Sequence, residues 1–370
     1  MSNLFSPLVL RGMTLPNRIM VSPMCQYSAE DGKATSWHMA HLAQLAVSGA
    51  GLLCIEATAV EPAGRITPGD LGLWNDETEA ALRPVLEAIR KYSQMPVALQ
   101  LSHAGRKASS HVPWDGGELI PVSEGGWATC GPSAIAHKEG EALPVALTKA
   151  DLVRLREAFA ASAARAVRLG VDAIELHGAH GYLIHQFLSP ISNTRTDEYG
   201  GSLENRMRFL LDIFDAVRLA LPMEKPLGVK LSATDWVEDG LDIDQTVEIS
   251  RELKAHGADW VVLSSGGLSP LQKITPAPNY QVPFAQRVKE ETGMVSAAVG
   301  LITQPRQADQ IIASGQADLV AVARAMLYDP RWPWHAAAEL NAQVDGPPQY
   351  WRAPPSQYKD IFNHAAFGAR

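Results

Sequence analysis

Two histidines and a tyrosine stand close together near the middle of the chain: His177, His180 and Tyr182. Histidines three positions apart at the exit of a strand can direct both imidazoles to one point, where they would polarise a carbonyl oxygen and stabilise the negative charge developing on it. A phenol two residues further along could supply a proton to the same compound. The pattern therefore predicts a site for carbonyl chemistry.

The spacing leaves two other interpretations of these histidines open. Together with His185 they could hold a metal ion, but no suitably spaced carboxylate or cysteine accompanies them, so no metal is expected. Alternatively, one of the two histidines is a buried structural residue, which the spacing alone would favour.

Two further stretches of polar residues have different expected roles. Gly300 and the pair Ala323-Arg324 follow the last two predicted strands, where backbone N–H groups and a guanidinium fork can bind phosphate. The alternative for Arg324 is a surface salt bridge. Residues 192–206 combine a Gly-Gly turn with an N-cap at Ser202, and we expect their charges to pair locally and brace a loop.

The elements that must position these residues alternate along the chain. Short apolar runs without polar alternation, typical of strands buried on both faces of a parallel sheet, are followed by longer helical patterns. The predicted strands are residues 18–24, 51–59, 96–101, 173–177, 227–232, 260–263, 295–299 and 319–322. The predicted helices are residues 38–48, 76–93, 148–169, 203–221, 243–256, 284–291, 304–314 and 334–340. This order fits a single (β/α)8 TIM barrel spanning residues 1–370, with reactive groups at the C-terminal strand ends.

Two segments fall outside the repeating pattern. Residues 105–147 (the excursion) follow the third strand, are rich in Gly, Pro and Trp, and are too long for an ordinary connection, so we expect a functional loop. Residues 341–370 form a Pro-rich C-terminal tail.

Composition excludes several classes of protein. The 370 residues carry a net charge of −8, and the pI is near 5.8, which argues against binding nucleic acid or an anionic membrane surface. The sequence has no apolar run long enough for a membrane span and no secretory signal at its start. Three scattered cysteines without a C-x-x-C motif favour free thiols in the cytoplasm and no cysteine-built iron–sulfur or zinc site.

Three motifs together resemble the old yellow enzyme family of flavin-dependent ene-reductases. They are residues 23–27 (PMCQY), 177–182 (HGAHGY) and 193–206 (NTRTDEYGGSLENR). The resemblance covers nearly the whole chain and is strongest to the bacterial subgroup of xenobiotic reductases and YqjM-like NADPH dehydrogenases. It implies a TIM barrel that binds FMN non-covalently across its mouth.

The resemblance also implies the residues that contact FMN. By motif match these are Ser22, Pro23, Met24, Cys25, Ala57, Gln100, Lys230, Gly300, Ala323 and Arg324. Lys230 stands where the family usually has Arg, which keeps the charge near the flavin pyrimidine but loses the bidentate fork. Ala323 stands where Gly is more usual.

Substrate contacts follow from the same resemblance. His177 and His180 match the pair that binds the substrate carbonyl, Tyr182 the proton donor, and Tyr27 a tyrosine that contacts substrate. Cys25 would lie near the reactive edge of the flavin and act in catalysis, unless it is merely a buried cysteine.

The C-terminal tail resembles a segment that reaches a neighbouring subunit's site. This implies a homodimer or homotetramer in which Tyr358 is an aromatic residue donated in trans, whereas the alternative is a loose surface tail.

The implied activity is NADPH or NADH oxidation coupled to reduction of an enone or enal, with hydride passing from flavin N5 to the β-carbon and a proton from Tyr182 to the α-carbon. One alternative is a flavin-binding, redox-sensing protein with Cys25 as the responsive thiol. Another is a flavin-free, phosphate-binding aldolase or isomerase, which would want a Schiff-base lysine or metal ligands. An iron–sulfur dienoyl-CoA reductase is disfavoured because no cysteine follows Cys130.

Overall fold

The computed structural model describes residues 2–366 and contains a closed barrel of eight parallel strands. The strands are β1 (Ile19–Val21), β2 (Leu52–Ala59), β3 (Val97–Ser102), β4 (Ala173–Gly178), β5 (Leu227–Ser232), β6 (Trp260–Ser264), β7 (Ser296–Ala298) and β8 (Leu319–Val322). Each strand pairs with the next along the chain, and β8 closes the barrel against β1. The predicted (β/α)8 fold is confirmed.

The predicted helices are all present and surround the barrel. They are α1 (Ser36–Ala46), α2 (Asp76–Tyr92), α3 (Lys149–Arg168), α4 (Leu203–Ala220), α5 (Ile243–Ala255), α6 (Val282–Thr292), α7 (Pro305–Ala313) and α8 (Trp332–Glu339). Each buries one apolar face, as Phe209 and Phe214 do on α4. Burying such a side chain stabilises the fold by about 1.5–3 kcal/mol.

The first predicted strand is too long. It stops at Val21, because the following Ser22 to Tyr27 leave the sheet and enter the mouth of the barrel. Pro23 has no N–H to donate to a ladder, which explains why strand pairing ends there. An apolar run in the sequence does not reveal where a chain turns away from its neighbours.

The N-terminal end of the barrel, here called the floor, is filled by side chains. An unpredicted antiparallel hairpin, Leu8–Leu10 with Met13–Leu15, packs its Leu10, Met13 and Leu15 into a cluster with Leu52 and Trp260. The cluster combines large side chains with alanines from several strands, which gives the interdigitation that close packing requires. The site must therefore lie at the opposite end.

The excursion and the tail each have some structure. The excursion contains three short 3₁₀ turns and a two-residue pairing of Cys130–Gly131 with Val145–Ala146. In the tail, Val344 pairs with Phe362 and both join a small apolar cluster with Ala337 of α8. The tail is thus packed through Phe362, unlike a loose surface tail; residues 367–370 lie outside the described part. No helix between residues 2 and 366 has the length and apolarity that would let it cross a membrane.

Candidate active site

The turn that leaves β4 brings the two predicted histidines and the tyrosine together. The His177 ring packs edge-on against His180, with ring centres 5.3 Å apart, and against Tyr182, with centres 4.8 Å apart. Their shared direction comes from a tight turn, in which His180 has φ +59° and Gly181 has φ +77°. A side chain at Gly181 would collide with the carbonyl oxygen of Gly267, so only glycine fits this close approach. These three residues are called the carbonyl site below.

Both histidines of the carbonyl site are neutral N–H donors. Burial lowers the pKa of His177 and of His180, and the nearby Lys230 ammonium lowers each further. Nδ1 of His177 accepts a hydrogen bond from the Ala179 N–H at 3.3 Å, which places the ring proton on Nε2. In His180, Nε2 lies 2.7 Å from the Ser264 hydroxyl. His177 therefore presents an Nε2–H that no described residue accepts. The tautomer of His180 depends on the Ser264 hydroxyl, which also donates to Oε1 of Gln281 at 3.2 Å.

Tyr182 keeps its proton at neutral pH. Burial raises the pKa of its phenol, and the negative charges that Cys25, Tyr27 and Asp70 can carry raise it further. No residue among 2–366 forms a hydrogen bond with its hydroxyl, while the Lys107 ammonium lies 5.2 Å from the ring centre. The phenol is thus a protonated donor without an acceptor among these residues.

His185 does not join the other two histidines. Its Nδ1 accepts the N–H of Gly181 at 2.9 Å, and its Nε2 lies 2.9 Å from the Asp235 carboxylate. Both nitrogens thus serve the turn and the barrel wall. The alternative in which His177, His180 and His185 together hold a metal ion is therefore wrong. Residues 2–366 contain no group of three His, Cys, Asp or Glu side chains arranged to ligate a metal.

A cavity of about 180 Å³ opens beside the carbonyl site. It brings together residues from the exits of β1, β5, β7 and β8 that the sequence analysis assigned to cofactor binding, namely Ser22, Lys230, Gly300, Ala323 and Arg324. This group is called the cofactor cleft. His180 also lines it, so the two sites are continuous.

The two cationic side chains of the cofactor cleft, Lys230 and Arg324, form no ion pair with any described residue. Lys230 is buried, yet no described residue accepts a hydrogen bond from its ammonium. Arg324 is exposed and has no ion pair among residues 2–366, so the surface salt bridge is not formed. Gly300 has φ +110° and approaches Gln281 closely, which lets the backbone itself line the cavity. Two cations and an open backbone fit a phosphorylated cofactor with an electron-rich ring.

Arg324 follows β8, as predicted from the sequence, and begins a short helix, Arg324–Tyr328, that was not predicted. Among the lining residues that were not predicted are Ser264, Tyr280 and Gln281. Ser264 ends β6, and the other two lie in the loop before α6.

Gln100 lies deeper in the barrel and is oriented by a buried acid that the sequence analysis missed. Its Nε2 donates to Oε1 of Glu175 at 2.7 Å, and Trp260 Nε1 approaches Oε2 of the same carboxylate at 3.4 Å. A carboxylate only accepts, so the amide of Gln100 turns its NH₂ towards Glu175. Its carbonyl oxygen, which receives no hydrogen bond from any described residue, is left to accept one from a ligand.

Pro23, Met24 and Cys25 lie half-buried in the loop after β1, and Ala57 is buried in β2. The pairing of β2 with β3 shifts register between Ile55 and Thr58, so Ala57 sits in a bulge, a device that re-aims side chains near active sites. Burial raises the pKa of the Cys25 thiol, and Asp70 and Glu56 raise it further. The thiol is therefore protonated.

Tyr27 and Tyr358 differ in their placement. Tyr27 has φ +52° and packs edge-on against Trp114 of the excursion, with ring centres 5.7 Å apart. It lines a second cavity that also touches Lys107. Tyr358 lies in a 3₁₀ turn of the tail, is 40% exposed, and contacts none of the other predicted site residues of its own chain.

The polar segment after the carbonyl site braces its loop, as predicted. Arg195 forms a two-pronged pair with Asp197, and Asn193 donates to the carbonyl oxygens of Phe187 and Tyr199. Ser202 caps α4 by accepting the Asn205 N–H. The Arg195 guanidinium also donates to the carbonyl oxygens of Pro132 and Leu147, so the segment is tied to the excursion as well.

The mouth of the barrel holds a cationic cleft beside two neutral imidazoles and a phenol. This arrangement is typical of an enzyme that binds a phosphorylated cofactor next to a carbonyl compound. The NADH:flavin oxidoreductase / NADH oxidase family model matches residues 3–343. Because the match covers most of the chain, this protein belongs to that family.

Curated relatives and solved structures agree with this membership. The chain is 45% identical to an NADPH dehydrogenase of Geobacillus sp. (strain WCH70) and 42% identical to one of Bacillus subtilis (strain 168), in each case over 94% of this chain and 98% of the relative. The structure of morphinone reductase superposes with a TM-score of 0.77 at 26% identity, over 99% of both chains. The chain is thus an FMN-dependent oxidoreductase that uses a nicotinamide cofactor.

Proposed function

We propose that this protein is an ene-reductase, which uses NADPH or NADH to reduce the C=C bond of α,β-unsaturated carbonyl compounds. The observation that carries the proposal is the convergence of His177, His180 and Tyr182 on one point beside the cofactor cleft. Two carbonyl-binding donors and one protonated acid are what the reduction of an enone needs from a protein.

The residues that would hold FMN come from several strand exits. They are Ser22, Pro23, Met24, Cys25, Ala57, Gln100, Lys230, Gly300, Ala323 and Arg324. The Lys230 ammonium and the carbonyl oxygen of Gln100 have no hydrogen-bond partner among residues 2–366 and are suited to the pyrimidine edge of a flavin. Arg324 is suited to its phosphate. When bound, FMN supplies the hydride, at its N5 position, that reduces the alkene.

His177 and His180 would bind the substrate carbonyl oxygen. As neutral donors they attract the oxygen weakly in the ground state and more strongly once it gains negative charge. Interactions that strengthen in this way lower the barrier, whereas uniform binding does not. Tyr27 would contact the substrate from the excursion side.

Tyr182 would protonate the α-carbon of the substrate. Its raised pKa keeps the proton on the phenol until an enolate-like carbon forms nearby. Such general acid catalysis is worth about 10²–10⁴ in rate.

Cys25 would contact the flavin and the substrate as a protonated thiol. Thiolates, not thiols, react quickly with oxidants, so the raised pKa of Cys25 weighs against the redox-sensing alternative. The flavin-free aldolase or isomerase is excluded because the chain belongs to a flavin-dependent family.

The proposal extends to assembly and location. The free thiols of Cys25, Cys54 and Cys130 are consistent with the reducing cytoplasm. In a homodimer or homotetramer, the exposed Tyr358 would be available to a neighbouring copy's active site.

The test is anaerobic reduction of the purified flavoprotein by NADPH or NADH, followed by reoxidation with 2-cyclohexenone and identification of the product. We expect cyclohexanone from the wild type. In the double variant H177A/H180A, reoxidation should slow by at least about 10²-fold, with the flavin content retained. A wild-type flavoprotein that is reduced by nicotinamide but leaves the enone unchanged would refute the proposal.

A further inference from the structure

The second cavity lies on the excursion side of the mouth and has a volume of about 190 Å³. It is lined by Tyr27 and by Lys107, and the Lys107 ammonium lies 5.2 Å from the centre of the Tyr182 ring. The cavity therefore adjoins the carbonyl site without being part of the cofactor cleft. We call it the basic cavity.

Its charge is opposite to that of the whole protein. Arg106, Lys107 and Lys138 line it against a single carboxylate, Glu141, whereas the chain as a whole carries a net charge of −8. A local positive field in an acidic protein needs a specific reason, because such lysines and arginines repel one another.

The two innermost cations, Arg106 and Lys107, donate hydrogen bonds but form no ion pair with a described carboxylate. Arg106 is 6% exposed, and its guanidinium donates to the carbonyl oxygen of Leu268 at 2.9 Å and to two in the excursion. Its Nε has no hydrogen-bond partner among residues 2–366. Lys107 donates to the carbonyl oxygens of His180 and Gly267, each at 2.8 Å. Carbonyl groups satisfy donors without neutralising their charge. The carboxylates of Asp235 and Glu141 favour the charged form of Arg106, whereas the charges that act on Lys107 are those of other cations.

The third cation stands at the rim. The Lys138 ammonium lies 3.1 Å from Glu118, and its backbone N–H donates to Glu141.

Burial and mutual repulsion lower the pKa of Lys107 to about 8, and burial lowers that of Arg106 to about 10. An anion in the cavity would relieve both effects.

We propose that the basic cavity is an anion subsite, which binds a phosphate or carboxylate group of a compound whose other end reaches the carbonyl site. This rests on the proposed function, which supplies two sources of such a group. One is a phosphate of the nicotinamide dinucleotide. The other is a carboxylate carried by the unsaturated substrate.

The test reverses the rim charge with Lys138→Glu. Lys149→Glu is the matched control, because Lys149 also forms a surface ion pair with a glutamate, Glu198, and lies outside the cavity. The probes are NADPH, the enone 3-oxocyclohex-1-ene-1-carboxylate and its uncharged counterpart 2-cyclohexenone. The measured quantities are the Kd of NADPH during anaerobic flavin reduction and the ratio of the KM values of the two enones.

We expect K138E to weaken one charged probe by about tenfold, as loss of a charge-assisted bond does, and K149E to change neither measured quantity by more than about twofold. A raised Kd of NADPH identifies the dinucleotide as the source. A raised KM for the carboxylate enone alone identifies the substrate. If neither charged probe responds, or both variants respond equally, the subsite is refuted.

A second variant and a second readout keep the test decisive. Ser110→Asp places a carboxylate in the same cavity and should act in the same direction, so it replaces K138E if that variant does not fold. Inorganic pyrophosphate should bind the oxidised wild-type flavoprotein, detected by calorimetry, and bind it more weakly as ionic strength rises. These binding measurements remain valid even if no enone is reduced, which separates failure of the subsite from failure of the proposed function.

Discussion

The floor and the mouth of the barrel are built from the same eight strands, yet they differ in the side chains that line them and in how many of these find a partner. At the floor, Leu10 and Trp260 fill the interior in a close-packed apolar cluster. At the mouth, the Lys230 ammonium is buried and no described residue accepts a hydrogen bond from it. Buried unpaired charges persist only where the surrounding structure stabilises them. The difference indicates that the floor stabilises the fold, while the mouth is shaped for ligands.

The strongest test of this division removes one oxygen atom at the mouth. In Y182F, we expect the rate of enone reduction to fall by about 10²–10⁴, because the proposed proton donor is lost while ring packing against His177 is kept. The free energy of unfolding should stay within about 0.5 kcal/mol of wild type, since the hydroxyl has no hydrogen-bond partner among residues 2–366. Single-turnover reoxidation and urea unfolding measure the two effects. A rate within tenfold of wild type would assign the proton to another group.

A pair of glycine substitutions compares the two ends directly. Gly228→Ala drives a methyl group into the Trp260 ring inside the barrel, and should cost about 1–3 kcal/mol of stability by overpacking. Gly181→Ala collides with the Gly267 carbonyl at a positive φ, and should displace His180 from Ser264. We expect the enone KM to rise at least about tenfold in G181A and much less in G228A.

Urea unfolding and steady-state kinetics on both glycine variants provide the comparison. Equal stability losses with equal KM changes would show that floor and mouth are not separable in function.

The smallest expected effect is on pH dependence. His177 and His180 have lowered pKa values, so they stay neutral in the folded state, whereas in the unfolded chain they take up protons near pH 6.5. Their contribution to stability is therefore complete above about pH 6.5 and is lost as the pH falls below it.

The affinity for an uncharged phenol, followed by flavin absorbance, should stay nearly constant from pH 8 to 6.5. A gain in phenol affinity on acidification in this range would mean that an imidazolium, not a neutral ring, is the donor.

Sequence alone sufficed for the barrel and for the close placement of His177, His180 and Tyr182, because both depend on local pattern. Buried strands lack polar alternation, and the spacing of His177, His180 and Tyr182 places all three in one turn. What that spacing did not decide was the role of His185, which only the contact with Asp235 in the loop after β5 settles. A histidine's partners are set by the closure of the barrel and not by its neighbours in the chain.

The residues missed by sequence analysis depend on contacts between distant strands. Ser264 becomes a partner of His180 only because the exits of β4 and β6 meet. Glu175 resembles any polar residue in a strand until the barrel closes around it and Gln100. The hairpin at the floor was missed because each of its strands is three residues long, too short to show a period.

The hydrogen-bonded series from Trp260 through Glu175 to Gln100 crosses the interior of the barrel. Its members come from three strands, so the amide of Gln100, below the mouth, is oriented through a carboxyl group by an indole of the floor. Exchanging that indole for an aliphatic side chain would free the acid to rotate and leave the amide without a set direction. Side chains of the floor therefore determine which atom of the Gln100 amide faces a ligand, although the ligand does not touch them.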